Sequence, residues 1–362
     1  MRTNANLATI ISTEKFPLPR TILTVVASLA ALSSFNSSAA QAEDTCAKPT
    51  TVRIQEWTGD IINIVPWVAD SKDMFRKHCL DVKFVPLVAG PGAIVALVNN
   101  TIDFANQGPD NIIRSRSKGV EVKIMSNMYA GHWSALVATN GLALPHLNEG
   151  YPAIMQDLAG KKIGVTALGG TTEAFMRSAF EGAGMDASSA TFIAVGGVTT
   201  AVPALKGRVV DGAMMFGTGP ELAEAMGAGR IVLDYRTRGT GPKSVQALWG
   251  STLSWTAYGP YIEKNADTVA EFSAANNEAI AWIRNPSNRD ELYRLIEQRM
   301  PLPDAVPTRS DTLKRIVDLN SALLGAGVAR EPIDGWNSYL MSLNQIPSAV
   351  DYDAMVWKSA RP

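Results

Sequence analysis

Histidine and cysteine are scarce in this 362-residue chain, and that scarcity removes most catalytic chemistry at once. The three histidines are His78, His132 and His146, and the two cysteines are Cys46 and Cys79. No two histidines stand three or four residues apart, the spacing that aims two imidazoles from one helix at a metal ion. HExxH, CxxC, GxSxG and the glycine-rich dinucleotide fingerprint are all missing. The run Gly239-Thr240-Gly241-Pro242-Lys243-Ser244 looks like a phosphate loop at a glance. A true one has four residues between its glycines and a lysine directly after the second, so this stretch is read as a surface loop. No catalytic residue, metal or cofactor is expected, and the chain is not expected to be an enzyme. Thirty-three basic against 34 acidic residues, with no run of one sign, leave no electrostatic footprint for nucleic acid.

Long apolar runs are also lacking. The nearest approach is residues 21–32, about twelve residues against the roughly 20 that span a bilayer. Arg2, Lys15 and Arg20 precede that run, and Ala40-Gln41-Ala42 follows it after small and polar residues. A basic start, a short apolar stretch and a small-x-small site make a secretory signal peptide. Cleavage is expected after Ala42, with export to the periplasm; an uncleaved tethering helix is the alternative. Cys46 follows Glu43-Asp44-Thr45 rather than small apolar residues, so no lipid anchor is expected. Losing three basic residues and one acidic residue leaves the processed chain with a net charge of −3. The remaining 320 residues suffice for two domains.

What is present is an alternation of short β-rich runs and helical patterns, which argues for an α/β protein with mainly parallel sheets. Residues 51–57 and 80–87 read as the first two strands, with Cys46 a few residues before one and Cys79 just before the other. If those strands are parallel neighbours, both cysteines sit at one sheet edge, and in an oxidising compartment they would pair. Two free thiols are the alternative. Further strands are read at 101–106, 120–128 and 134–139, then, after a polar stretch, at 163–166, 190–195, 212–216 and 231–235. The second half thus echoes the first, which suggests two similar lobes. Residues 244–257 read as a β-rich return segment, and the chain from Pro260 onward as almost wholly helical.

Several strands run into a small-residue loop that opens a helix: Trp57-Thr58-Gly59, Gly90-Pro91-Gly92, Gln107-Gly108-Pro109, Gly169-Gly170-Thr171-Thr172 and Phe216-Gly217-Thr218-Gly219. Ligands of open α/β sheets bind beyond the carboxyl ends of the strands, where such loops turn N–H groups and hydroxyls outward. The same glycines and threonines also serve turns and caps. Of the large aromatics, Trp133, Trp255, Phe216 and Tyr258 are read first as core. Trp57, at a strand end, and Trp249, in the return segment, are read as ligand contacts. Arg236 and Arg238 follow the last strand of the second half and are read as surface residues.

The ordered set of short motifs resembles a family. Val52–Trp57, Val68-Ala69-Asp70, Leu80-Asp81-Val82, Gly90-Pro91-Gly92, Ile102-Asp103-Phe104-Ala105, residues 157–165 (DLAGKKIGV) and Asp211-Gly212-Ala213 are together similar to the substrate-binding proteins of ABC transporters, nitrate/sulfonate/taurine class. The resemblance implies a two-lobed periplasmic-binding-protein-like fold of type II, each lobe a mainly parallel sheet flanked by helices, joined by two hinge strands. The first lobe would be residues 43–138 and 246–362, and the second 139–245. It implies a small organic ligand, anionic or aromatic, an ABC permease and ATPase as partners, and a protein that is itself a monomer. By position its cleft loops fall on Trp57, Thr58, Gly90, Gln107, Gly108, Gly169, Gly170, Thr171, Thr172, Gly217 and Thr218. No Arg or Lys stands in these loops, a departure for a binder of sulfonate or nitrate, and a neutral or aromatic carboxylate ligand fits them at least as well. A ligand-binding sensor component is the alternative function, and a pyrimidine-precursor synthase-like enzyme of similar fold a further one.

Overall fold

The computed structural model describes Cys46, residues 48–87 and residues 90–362. The signal peptide expected at 1–42 and its cleavage site lie outside the described residues. In chain order the strands are β1 (Thr50–Glu56), β2 (Leu80–Pro86), β3 (Ala105–Gln107), β4 (Val122–Tyr129) and β5 (Ser134–Thr139). They continue with β6 (Lys162–Val165), β7 (Thr191–Ala194), β8 (Gly212–Phe216), β9 (Gly229–Asp234) and β10 (Leu253–Tyr258). Among the described residues no helix is long and apolar enough to cross a membrane.

β1 and β2 are parallel neighbours, with Thr50 opposite Leu80 and Glu56 opposite Pro86. That register brings the residues preceding both strands to one edge. Thr50 N donates to the carbonyl of Cys79 (2.8 Å), and Cys46 and Cys79 are disulfide-bonded with Cα atoms 5.3 Å apart. The bond joins residues 33 apart in sequence. A closed loop of that length limits the unfolded chain, so a Cys46→Ser/Cys79→Ser variant is expected to lose about 4 kcal/mol. Urea unfolding of the oxidised protein and the variant measures it; equal midpoints would mean that the bridge constrains nothing.

A parallel bridge between Ile54 and Phe104, with Gln55 N donating to the Phe104 carbonyl (2.9 Å), attaches β1 to the start of β3. β10 then lies between β3 and β4 and runs antiparallel to both. A second sheet has the order β7-β6-β8-β5-β9, with β6 parallel to β7 and β8, and β5 antiparallel to β8 and β9. In each sheet the antiparallel member is the strand that has just crossed from the other sheet. Those crossings sit closer to the strands than the sequence suggests. β5 belongs to the second sheet, so the first crossing runs over residues 130–133 rather than at 138–139. The return segment is β only from Leu253; Lys243–Gln246 is a short helix that starts after Pro242. The two crossings are tied together where Gly250 N donates to the Ala130 carbonyl (2.7 Å) and Thr252 N to that of Tyr129 (2.8 Å).

The Ala266–Arg284 helix covers the first sheet. Its Phe272 is fully buried and packs against Phe104 (4.4 Å), Trp255 (5.1 Å) and Phe75 (5.5 Å). Trp255 is therefore core, as expected of a large aromatic. The chain after Gly259 is helical in its regular elements apart from short 3-10 turns.

Candidate functional site

β3, β6 and β8 each end in a short loop that opens a helix, Pro109–Ser117, Thr171–Gly182 and Gly219–Ala225 respectively. β1 ends at Trp57. The first and last of these strand ends meet in a packed aromatic group: Phe216 makes edge-to-face contacts with Trp57 and with Trp133, each at 4.9 Å. Beside it lies a narrow crevice of about 30 Å³. One wall comes from the first sheet (Trp57, Asn106, Gln107, Gly108 and Asn111); the other comes from the second (Thr166, Gly170, Thr171, Thr172 and Phe216). Gly90, Trp133, Ala167 and Leu253 complete it. That is far below the ~300–1,000 Å³ usual for small-molecule sites, so in this arrangement the two walls lie nearly closed on each other.

The walls are held by polar chains. Thr171 donates its hydroxyl to Asp110 Oδ1 (2.8 Å), which joins the helices of the two sheets directly. Arg114 Nη2 donates to Asp110 Oδ2 (2.6 Å), to Asn111 Oδ1 (2.7 Å) and across to the Gly169 carbonyl (3.1 Å). Asn111 Nδ2 in turn reaches Gln107 Oε1 (3.3 Å). Gly108 has to be glycine, because a Cβ there would overlap the carboxylate of Asp110 and lie 2.9 Å from Thr171 Oγ1. In the second wall Thr172 caps locally, accepting from Thr166 N (2.9 Å), and Glu173 accepts from Gly169 N (2.6 Å) and Arg177 Nε (2.8 Å).

A second contact joins the sheets. Asp60 Oδ1 accepts from Ile62 N (3.1 Å) and from Thr218 N (3.2 Å), and Ile61 N donates to Thr218 Oγ1 (2.9 Å). Gly217 has φ +55°, and a Cβ on it would overlap the Asp60 carboxylate. Burial raises the Asp60 carboxyl to about 7, against the pull of those hydrogen bonds. His132, buried in the first crossing, is pushed down to about 4 by the same cause; its Nε2 lies 2.7 Å from the Val245 carbonyl.

Of the residues expected at the ligand, the crevice gathers Trp57, Gly90, Gln107, Gly108, Gly170, Thr171 and Thr172. The others stand elsewhere. Gly169 faces a shallow recess with Arg114 and Glu173, Thr58 lies in a recess opposite Ala194–Thr200, and Gly217 and Thr218 make the Asp60 contact. Trp249 is at the crossings, with the Arg238 guanidinium 4.2 Å above its ring and His132 edge-on at 5.7 Å. Arg236 is not a surface residue: it is 8% exposed and paired with Glu221 and Asp234. Asn106, Asn111, Thr166, Ala167 and Leu253 line the crevice without having been expected there, and so do Trp133 and Phe216, which were read first as core. Asn106 had a legible signal, since it stands beside Gln107 at the carboxyl end of a strand. Among the described residues no group of three or more His, Cys, Asp or Glu is placed to hold a metal ion.

The NMT1/THI5-like family model matches residues 63–288, more than half of the chain. No curated protein matches by sequence. Three solved structures show the likeness of fold. The alkanesulfonate-binding protein SsuA of Xanthomonas axonopodis pv. citri, bound to MOPS, superposes with a TM-score of 0.69 at 14% identity, over 86% of this chain and 99% of that one. The periplasmic aliphatic sulphonate binding protein SsuA of Escherichia coli gives 0.64 at 18%, over 87% and 94%. The periplasmic nitrate-binding protein NrtA of Synechocystis PCC 6803 gives 0.56 at 17%, over 83% and 92%. On a periplasmic-binding-protein fold, the chain belongs to the NMT1/THI5-like family.

Proposed function

We propose that this protein is an exported solute-binding protein that captures a small organic molecule between two lobes and hands it to an ABC permease and its ATPase. The observation that carries the reading is the crevice, which lies at the carboxyl ends of strands from both sheets. A ligand there touches both lobes at once, so its binding energy favours their closed arrangement. The first lobe would comprise the chain up to the crossing at 130–133 together with β10 and the helices after it, and the second the chain between. Binding rather than catalysis fits a wall of amides, hydroxyls, glycines and indoles, and both cysteines are held in the disulfide. Delivery to a transporter draws on the neighbours, which include sulfonate- and nitrate-binding proteins.

The test is a thermal-shift screen of the processed protein with small amides, lactams, pyrimidines, aromatic carboxylates and sulfonates, read in parallel by tryptophan fluorescence. One class is expected to raise the melting temperature and to change the emission of Trp57 and Trp133. A panel that moves neither would overturn ligand capture.

A further inference from the structure

Asn106 is fully buried in the crevice wall, and its Nδ2 has no hydrogen-bond partner. Its orientation is not arbitrary. The indole Nε1 of Trp57 donates to Asn106 Oδ1, and an indole N–H can only donate. Turning the amide over would set two donors against each other, so the Nδ2 N–H groups are held away from Trp57 and left without an acceptor. A buried amide donor left unpaired is costly, and a ligand acceptor would remove that cost. The other unclaimed donors nearby are first-turn N–H groups of the Thr171–Gly182 helix, which have no intrahelical acceptor.

The charges around the crevice are already matched. Among the described residues no lysine, arginine or histidine lines it. The positive ends of the two helices that face it are answered from within the chain: Asp110 stands in the first turn of Pro109–Ser117 and Glu173 in the first turn of Thr171–Gly182. Asp110 is further paired with Arg114 (2.6 Å), and Glu173 with Arg177 (2.6 Å). An anion placed here would be buried without a countercharge of its own, which is costly.

We infer that Asn106 is the polar anchor of the ligand, and that the ligand is an uncharged molecule presenting a carbonyl oxygen or ring nitrogen to it, with an apolar body against Trp57 and Phe216. The inference rests on the crevice being the ligand site, and it differs from the anions named for the structural neighbours.

Titration calorimetry on the wild-type processed protein compares benzamide with benzoate, nicotinamide with nicotinate, and further amides and lactams with carboxylates and sulfonates of the same skeleton. The neutral members are expected to bind at least tenfold tighter. Asn106→Asp, which keeps the shape and the acceptor but loses both donors, is expected to weaken the neutral ligand at least tenfold. Asn106→Ser serves as a second variant, and the wild-type comparison needs neither. Anions that bind as tightly as their neutral partners, or tighter, would overturn the inference while leaving capture intact. Unchanged affinity of a neutral ligand in a folded Asn106→Asp would overturn the anchor. Silence from both halves of the panel would overturn capture, and the inference with it.

Discussion

Replacing Arg236 with methionine is expected to destabilise the protein by about 3–5 kcal/mol, because it leaves a buried carboxylate without its main countercharge. The Arg236 side chain is 3% exposed and that of Glu221 is 1%. Nη1 donates to Glu221 Oε2 (2.9 Å); Oε1 lies 2.8 Å from Nη2 in charge contact, though out of line for a hydrogen bond. Nε and Nη2 also hold Asp234 (2.8 and 2.9 Å). Burial alone would lower the guanidinium's pKa, but the hydrogen bonds and charges of Asp234 and Glu221 more than reverse that and hold it protonated. With Arg236 gone, the nearest cation to Glu221 is the half-exposed Arg315, at 3.9 Å. The double variant Glu221→Leu/Arg236→Met removes both charges and is expected to recover most of the loss. Urea unfolding of the wild type, the single variants and the double variant closes the cycle. A loss below about 1 kcal/mol for Arg236→Met, the range of an exposed ion pair, would show that water reaches the pair.

That pair also shows where sequence reading stops. Arg236 directly follows the strand read at 231–235 and reads as a surface residue, and nothing local reveals that Glu221 closes over it. The same limit applies to the aromatics. Trp249 and Trp133 stand in similar loop-like settings, and only the paths of the two crossings put one on Arg238 and the other against Phe216. β5 is buried along its whole length, so its composition suits either sheet; pairing with β8 and β9 decides the matter. The disulfide was legible because it depends on one feature, a parallel β1–β2 pair, that the pattern already suggested. The crevice was legible in part for a related reason. Glycine loops at strand ends mark where helices begin, but which of them face each other depends on how the sheets are set together. That is why Gly108 and Thr171 meet, whereas Gly217 meets Asp60.

Asp60→Asn is expected to change the pH dependence of stability by about 3 kcal/mol between pH 5 and pH 8. Asp60 is 1% exposed, one carboxylate oxygen has no partner, and burial raises its carboxyl to about 7 in the folded protein. In the unfolded chain an aspartate titrates near ~3.9. Below about pH 4 both states hold the proton and the folded state carries no penalty from this group. Between about 4 and 7 the unfolded chain releases its proton while the folded one keeps it, so stability falls with rising pH by about 1.4 kcal/mol per unit. Above 7 both are ionised and the loss is complete. Among the described residues no cation offsets the charge. On the packed elements Tyr129 carries a hydroxyl whose pKa is raised by burial and then by Asp60 itself, while Arg315 is engaged with Glu221 and Glu224. Asparagine keeps the acceptor for Ile62 N and Thr218 N but cannot ionise. It adds a buried N–H₂ in place of the unpartnered oxygen, so the variant should be no more stable than the wild type at pH 5 and more stable at pH 8. Urea unfolding of both proteins at the two pH values reads the difference directly. Stability changes that run parallel would mean that Asp60 titrates as an exposed carboxylate does, and that the Asp60–Thr218 contact between the sheets is open to water.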